Sequence, residues 1–156
     1  MPIAQLQEFL DGHRVKYVTI THSPGYSAQM IAASTHTPGK EFAKPVVVKL
    51  DGKLAMAVLP ACNLIDFGRL KEAARVGHAE LAHEEEFQNL FPECEVGAMP
   101  PFGNLYGVEV LVDEALTENQ EIAFNAGSHW ELMRMAYRDY ENLVEPMVTS
   151  FSYKSP

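Results

Sequence analysis

Three short segments of this chain carry residue types that could bind or activate a substrate. Lys44 stands directly before Pro45 and a run of three valines, where a lysine ammonium can hold an anion or a carbonyl oxygen. The uncharged loop 97–103 (GAMPPFG) combines two prolines, which fix φ, with two glycines, which permit close backbone approach to a ligand. A later turn contributes Asn125 and His129, whose polar side chains could line a pocket.

Each of these segments also has a plainer interpretation. A lysine at the start of a hairpin is often an exposed loop residue, and position alone favours that view of Lys44. The loop 97–103 is equally well explained as a structural crossover. A single histidine in a turn, such as His129, more often has a structural role. The residue types alone therefore leave both interpretations open.

A cysteine and a cluster of histidines and acidic residues are weaker candidates for a functional site. Cys62 could be a nucleophile, but no neighbouring residue in the sequence would lower the pKa of its thiol, so a small buried residue is the better interpretation. His78 and His83 with the acidic run 84–86 could be drawn as a metal cluster. Their spacing places them around a turn and the start of a helix, where acidic residues favour the helix dipole. We therefore expect no metal site.

Composition narrows the classes of function. Of 156 residues 47% are hydrophobic and 21% are charged, which is enough apolar material for a packed core. Twelve basic against 21 acidic residues give a net charge of −9, which argues against extensive contact with a phosphate backbone. This charge balance still permits a local basic patch to bind one short end of a nucleic acid.

Several familiar motifs are missing from the sequence. It has no GxxxxGK[ST] or GxGxxG loop, no HExxH and no CxxC, so we expect no cofactor. It has no apolar stretch of about 18 residues and no secretory signal at its start, which predicts a cytoplasmic protein without a membrane contact. Its two cysteines are too few for a disulfide scaffold.

The hydrophobic pattern predicts the elements that must position these groups. The clearest is a hairpin of strands 46–50 and 54–59 around Asp51-Gly52, closed by Pro60. Further helices are predicted at 3–12, 27–33, 66–76, 83–91 and 137–144, and further strands at 16–21, 105–112 and 121–125. From Ser128 the pattern fits either a capped helix or a strand. We predict one α+β domain over residues 1–156, with a loosely held tail after about residue 146.

Taken in order, these segments resemble the YbaK family of free-standing editing proteins, which is related to the editing domain inserted in bacterial prolyl-tRNA synthetases. The similarity covers about residues 15–144. Its features are His22-Ser23 after the first strand, Phe42-Ala43-Lys44 before the valine strand, the Asp51-Gly52 hairpin with LAMAVLPA (54–61), the helix from Asp66, the GxxxP pattern from Gly97 to Pro101, and the turn ending at His129.

The resemblance implies a barrel-like mixed sheet surrounded by short helices, and favours the strand after Gly127. It implies hydrolysis of the ester that joins a wrong, small amino acid to the 3′ end of a tRNA, without a cofactor or metal. The implied partners are a tRNA acceptor end and an aminoacyl-tRNA synthetase. Lys44, Gly97 and Pro101 are the implied catalytic residues. The implied substrate-binding residues are His22, Ser23, Asn125, Gly127 and His129. Met99 and the doubled proline Pro100-Pro101 depart from the family's loop pattern, and we expect Met99 to contact the substrate and shape the amino-acid pocket.

In this scheme Lys44 holds the terminal phosphate or the ester carbonyl oxygen, and the tRNA 2′-hydroxyl assists. Pro101 would fix the loop so that its main-chain groups face the pocket. A non-catalytic binding or regulatory domain of the same fold is the main alternative, and a hydrolase of another small ester is a weaker one. The pairing of Lys44 with the GxxxP loop favours the enzyme, because a degenerate binding domain would be free to lose either.

Overall fold

Ten strands and four α-helices form the described part of the chain, which comprises residues 3–21, 38–95, 97–129 and 131–154 of a computed structural model. The helices are α1 (Ala4–Gly12), α2 (Phe67–Ala74), α3 (Glu84–Phe87) and α4 (Tyr137–Val144). The strands are β1 (Tyr17–Thr21), β2 (Ala43–Leu50), β3 (Lys53–Pro60), β4 (Asn63–Ile65), β5 (Ala79–Leu81), β6 (Glu109–Asp113), β7 (Glu121–Asn125), β8 (Glu131–Ala136), β9 (Met147–Thr149) and β10 (Ser152–Lys154). The helix predicted at 27–33 lies outside the described residues.

Three sheets are built from these strands. A five-stranded mixed sheet has the order β5-β2-β3-β6-β9, with parallel pairing of β3 with β6 and of β6 with β9. A three-stranded antiparallel sheet has the order β1-β8-β7, and β10 pairs with β4. A parallel bridge between Phe42 and Ala123 connects the larger two sheets. The predicted α+β class with a mixed sheet and short helices is confirmed.

The predicted hairpin is present and its turn explains its register. Asp51 and Gly52 have φ values of 51° and 82°, and two positive φ angles give a turn whose twist matches that of the strands. The Asp51 carboxylate also accepts hydrogen bonds from the main-chain N–H groups of Gly77 and His78, at 3.0 and 2.9 Å from Oδ1. The hairpin is therefore fixed to the segment that leads into β5.

The five-stranded sheet buries both of its faces. Val47 on one face joins a large core that includes Phe102, Phe124 and Tyr140. Val48 on the other face joins a smaller core under α2. Successive residues of a strand point to opposite faces, so the consecutive valines of β2 serve both cores. This double burial explains the continuous apolar run in the sequence.

Several predicted elements have different bounds in the structure, among them the strand predicted at 46–50, which begins at Ala43. The strand predicted at 105–112 begins only at Glu109, because Gly103–Tyr106 forms a 3₁₀ turn that ends at Gly107 with φ 75°. The helix predicted at 83–91 divides into α3 and a 3₁₀ turn, Gln88–Leu90. After Ser128, β8 pairs with both β1 and β7, so the strand alternative is confirmed.

The prediction of a loosely held tail is wrong for residues 147–154. Strand β9 pairs with β6, β10 pairs with β4, and Phe151 between them is fully buried. The buried carboxylate of Asp113 accepts hydrogen bonds from the N–H groups of Phe151 and Ser152, each at 2.9 Å from Oδ1. Short strands with exposed residues gave no periodic signal, so these partners were not visible in the sequence. No helix among the described residues combines the length and apolar character needed to cross a membrane.

Candidate functional site

Lys44 lies inside a strand, and the alternative of an exposed loop lysine is wrong. It is the second residue of β2, opposite Leu59, and its side chain is half-buried. Its Nζ donates a hydrogen bond to the main-chain oxygen of Asn63 at 3.0 Å. Burial lowers the pKa of Lys44, because removal from water disfavours the charged ammonium. The structure thus presents a positioned cation in a place of reduced hydration.

The bond to Asn63 orients the Lys44 side chain without using its full capacity. An ammonium has three N–H donors, and this bond uses one. Asn63 is itself held, because its Nδ2 donates to Ser152 Oγ at 2.9 Å. Lys44 is therefore placed by β4 and β10, and it retains donors for a carbonyl oxygen or a phosphate.

Asn125 lies near Lys44 in the topology. The parallel bridge joins Phe42 to Ala123, and Lys44 and Asn125 each follow two residues later along their strands. Asn125 is 6% exposed, and among the described residues its Oδ1 has no hydrogen-bond partner. A buried acceptor without a partner costs free energy that a ligand donor would recover. The junction of the two sheets therefore carries a cation and an available acceptor.

Main-chain hydrogen bonds join the loop 97–103 to the turn after β7. The N–H of Gly127 donates to the oxygen of Ala98 at 2.9 Å, and that of Glu95 donates to the oxygen of Gly127 at 2.8 Å. Gly127 has φ 100°, and a Cβ there would lie 2.5 Å from Ile3 Cγ2. Only glycine fits this position without a shift of α1 or the turn. Gly127 therefore acts in the structure by joining these segments.

Gly97 and His129 come together through this connection. Gly97 has φ 79°, and a Cβ there would lie 3.6 Å from His129 Cε1. The N–H of His129 donates to Glu95 Oε1 at 3.0 Å. Gly97 is exposed and His129 is partly exposed, so both remain accessible from the surface. Two of the predicted site residues are thus neighbours although 32 positions separate them along the chain.

Pro101 and Met99 face the core rather than solvent. Pro101 is buried, and its carbonyl oxygen accepts a hydrogen bond from Tyr140 Oη at 2.6 Å. Within the loop 97–103, this one carbonyl is thus paired with the fully buried Tyr140 hydroxyl. Met99 is 7% exposed and lines a cavity of about 260 Å³ together with Phe87 and Gly97. Met99 is thus placed to limit the volume of that cavity.

The remaining candidates are distributed as follows. His22 and Ser23 lie outside the described residues. Cys62 is half-buried, and its Sγ donates a weak hydrogen bond to Asn63 Oδ1 at 3.5 Å. Cys94 lies against the Tyr106 hydroxyl, and burial raises the pKa of its thiol, which opposes a nucleophilic role. In the described part of the chain no three metal-binding side chains converge.

The segment around His83 forms the start of a helix. Its main-chain N–H donates to Glu86 Oε1 at 2.9 Å at the start of α3. The other carboxylate oxygen of Glu86 lies 2.8 Å from Lys49 Nζ. The acidic run therefore lies at the start of a helix, as its spacing indicated, and Glu86 in addition forms an ion pair with Lys49.

Sequence reasoning missed two residues that position the site. Asn63 provides the oxygen for Lys44, and Glu95 provides the carboxylate for the N–H of His129. Asn63 is 19 positions from Lys44 in the sequence, and Glu95 is 34 positions from His129. No periodic pattern in the sequence connects either pair. For Glu95, the one indication in the sequence was its position two residues before Gly97.

Comparisons with known proteins identify the family of the chain. A family profile described as the aminoacyl-tRNA editing domain matches residues 22–143. The Multifunctional Ser/Thr-tRNA deacylase ProXp-y of Escherichia coli (strain K12) is 29% identical over 139 residues, which cover 85% of this chain and 81% of the relative. A Proline--tRNA ligase of Bacillus mycoides (strain KBAB4) is 27% identical over 86 residues, which cover 55% of this chain and 15% of that much longer protein.

Solved structures share the fold across nearly the whole chain. The hypothetical protein APE2540 superposes with a TM-score of 0.85 at 18% identity, covering 96% of this chain and 99% of the other. A protein described as a candidate trans-editing enzyme for prolyl tRNA synthetase superposes with a TM-score of 0.80 at 19% identity, covering 97% and 96%. At this level of identity the likeness concerns the fold.

Proposed function

The chain belongs to the aminoacyl-tRNA editing domain family, and we propose that it acts in trans as a deacylase that hydrolyses the ester of a tRNA mischarged with a small amino acid. The observation that carries this proposal is the half-buried Lys44, held by Asn63 at the junction of two sheets where Asn125 offers a buried acceptor. The deacylase named among its relatives supports the reaction class.

The reaction needs little more than positioning and charge stabilisation. Water adds to the carbonyl carbon of the ester, and the carbonyl oxygen becomes negatively charged. The bond to the 3′ oxygen of the tRNA then breaks, that oxygen takes up the proton released by the attacking water, and the free amino acid leaves. An aminoacyl ester is already activated, so donors aimed at the developing oxyanion supply much of the rate enhancement.

Lys44 is the proposed donor in this reaction. Its ammonium holds the ester carbonyl oxygen, or the terminal phosphate, through the N–H groups that Asn63 leaves available. Asn125 Oδ1 accepts a hydrogen bond from the substrate, for which the α-ammonium of the amino acid is a suitable donor. In this proposal Gly97 and His129 contact the amino-acid part of the substrate, and the 2′-hydroxyl of the tRNA assists.

The proposal also includes the extent of the domain, its cellular compartment, its partners and two further contact residues. Residues 1–156 form one editing domain, which works in the cytoplasm where aminoacyl-tRNAs are used. Its partner is the acceptor end of a tRNA, and an aminoacyl-tRNA synthetase is a second partner that delivers the mischarged substrate. His22 and Ser23 contact the substrate, as the family resemblance implies.

A deacylation screen tests this function directly. Purified protein is incubated with tRNAs carrying glycine, alanine, serine, threonine or proline, and loss of each ester is followed against the uncatalysed rate. We expect clear acceleration for at least one small amino acid. Binding of tRNA without acceleration of any ester would instead indicate a non-catalytic binding domain.

Gly97 and Met99 are expected to affect specificity differently. In Gly97→Ala the methyl group strains the positive φ and narrows the space beside His129, so the preferred ester should lose more rate than the smaller glycyl ester. Met99→Ala enlarges the adjoining cavity and should raise the upper size limit of accepted amino acids. The measurement is the relative rate on glycyl-, alanyl-, seryl- and prolyl-tRNA. Equal losses of rate on all four esters would mean that the loop 97–103 has a structural role and does not determine specificity.

A further inference from the structure

A second cavity lies beside the residue that positions Lys44. It has a volume of about 350 Å³ and is lined in part by Cys62, Asn63, Asn119 and two lysines, Lys40 and Lys154. These lysines are 114 positions apart along the chain, and the fold brings them to one place. We call this feature the lysine cavity.

The main chain around the lysine cavity is fixed by specific contacts. Lys154 pairs with Asn63 in the ladder of β10 with β4. The main-chain oxygen of Lys40 accepts a hydrogen bond from Asn119 Nδ2 at 2.7 Å. Both lysine side chains are exposed, so their ammonium groups can reach a ligand while their backbones stay in place. The cavity is thus a defined concave surface with two mobile cations at its edge.

The charge of this surface is opposite to that of the whole protein. Among the described residues that line the cavity, Glu118 is the single carboxylate, against two lysines. Lys44 lies immediately behind, because its Nζ donates to the Asn63 oxygen. In a chain with a net charge of −9, this is a local concentration of positive charge next to the proposed catalytic lysine. An anion would be drawn here in preference to the acidic remainder of the surface.

We propose that the lysine cavity binds a backbone phosphate of the single-stranded acceptor end of the tRNA, through Lys40 and Lys154. This inference rests on the proposed function and adds a binding site outside the catalytic junction. Phosphate contacts fix the register of a nucleic acid without reading its sequence. With the backbone held at the cavity, the terminal ester is directed to Lys44.

The test uses binding rather than turnover as its first measurement. A fluorescein-labelled RNA microhelix ending in CCA is titrated with the protein at several salt concentrations, and the dissociation constant is read from anisotropy. The variants are Lys40→Gln, Lys154→Gln and their combination. Lys53→Gln is the matched control, since Lys53 is an exposed lysine at the opposite end of the β2–β3 hairpin.

We expect each cavity variant to weaken microhelix binding by roughly tenfold at low salt and to reduce the slope of log K against log salt by about 0.7. Glu118→Gln removes the opposing carboxylate and should tighten binding. Lys53→Gln should bind as the parent protein does. Melting temperatures of all variants are compared to confirm that they remain folded.

The outcomes separate this inference from the proposed function. If folded Lys40→Gln and Lys154→Gln variants keep the parent affinity and salt slope, the phosphate site is overturned, even where deacylation is intact. Equal weakening in the Lys53 control would overturn it as well, because the effect would then be nonspecific. If binding depends on the cavity but no mischarged tRNA is hydrolysed, the site stands and the deacylase proposal fails.

Discussion

Replacing Lys44 with alanine is expected to slow deacylation by about two to three orders of magnitude while the protein stays folded. The substitution removes a donor that the structure holds in a half-buried position against the Asn63 oxygen. Removing one such donor from a preorganised site commonly has an effect of this size. The measurement is single-turnover hydrolysis of the preferred ester, with a thermal melt of the same sample.

Lys49→Ala is the matched control for this experiment. Lys49 lies on the same strand, but its ammonium pairs with Glu86 and Glu80 on the surface. We expect this variant to retain the parent rate. A folded Lys44→Ala protein with similar turnover would show that the lysine has no role in the reaction.

The lowered pKa of Lys44 predicts a pH dependence of the deacylation rate. Burial lowers the pKa of Lys44, so the ammonium loses its proton at a lower pH than an exposed lysine does. The rate in excess of uncatalysed hydrolysis should therefore decline as pH rises through that lowered pKa. Lys44→Ala should lack this decline. A parent protein whose excess rate keeps rising into the alkaline range would contradict a role for the charged form.

Replacing Asp113 with alanine is expected to lower the free energy of unfolding by about 3 kcal/mol. The buried carboxylate accepts hydrogen bonds from the N–H groups of Phe151, Ser152 and Ala115. Its removal leaves buried donors without a charged acceptor, which costs more than the net value of one hydrogen bond. The measurement is chemical denaturation monitored by circular dichroism.

This substitution should also reduce activity, because the tail supports the site. Ser152 Oγ accepts a hydrogen bond from Asn63, and Asn63 holds Lys44. Asp113→Asn is the control, since it keeps one acceptor oxygen and should be less destabilised than the alanine variant. Hydrogen exchange should show faster opening of residues 147–154 in Asp113→Ala. Unchanged stability and exchange in that variant would contradict the role assigned to the carboxylate.

Local patterns predicted much of the fold. The two positive φ angles at Asp51-Gly52 and the apolar runs on either side determine the β2–β3 hairpin. Asp66 accepts a hydrogen bond from the N–H of Arg69 as the N-cap of α2, as its residue type indicated. Such signals succeed because turns and caps depend on neighbours along the chain. The family was visible from the order of these same segments.

Contacts between distant segments were decided only by the tertiary structure. The short strands β9 and β10 have no periodicity of their own, and they form because Asp113 and the edges of β6 and β4 offer partners. The same reason explains why the Pro101 carbonyl is paired with the hydroxyl of Tyr140, 39 positions away in the sequence.

The sequence by itself determined the candidate residues Lys44, Gly97 and His129, since residue type, turn chemistry and order along the chain are local properties. The tertiary structure decided which of them meet. Main-chain bonds between Ala98 and Gly127 bring Gly97 to His129, and the Asn63 oxygen orients Lys44. Such bonds join residues that are far apart in sequence, and they exist only once burial has removed competing water from both partners.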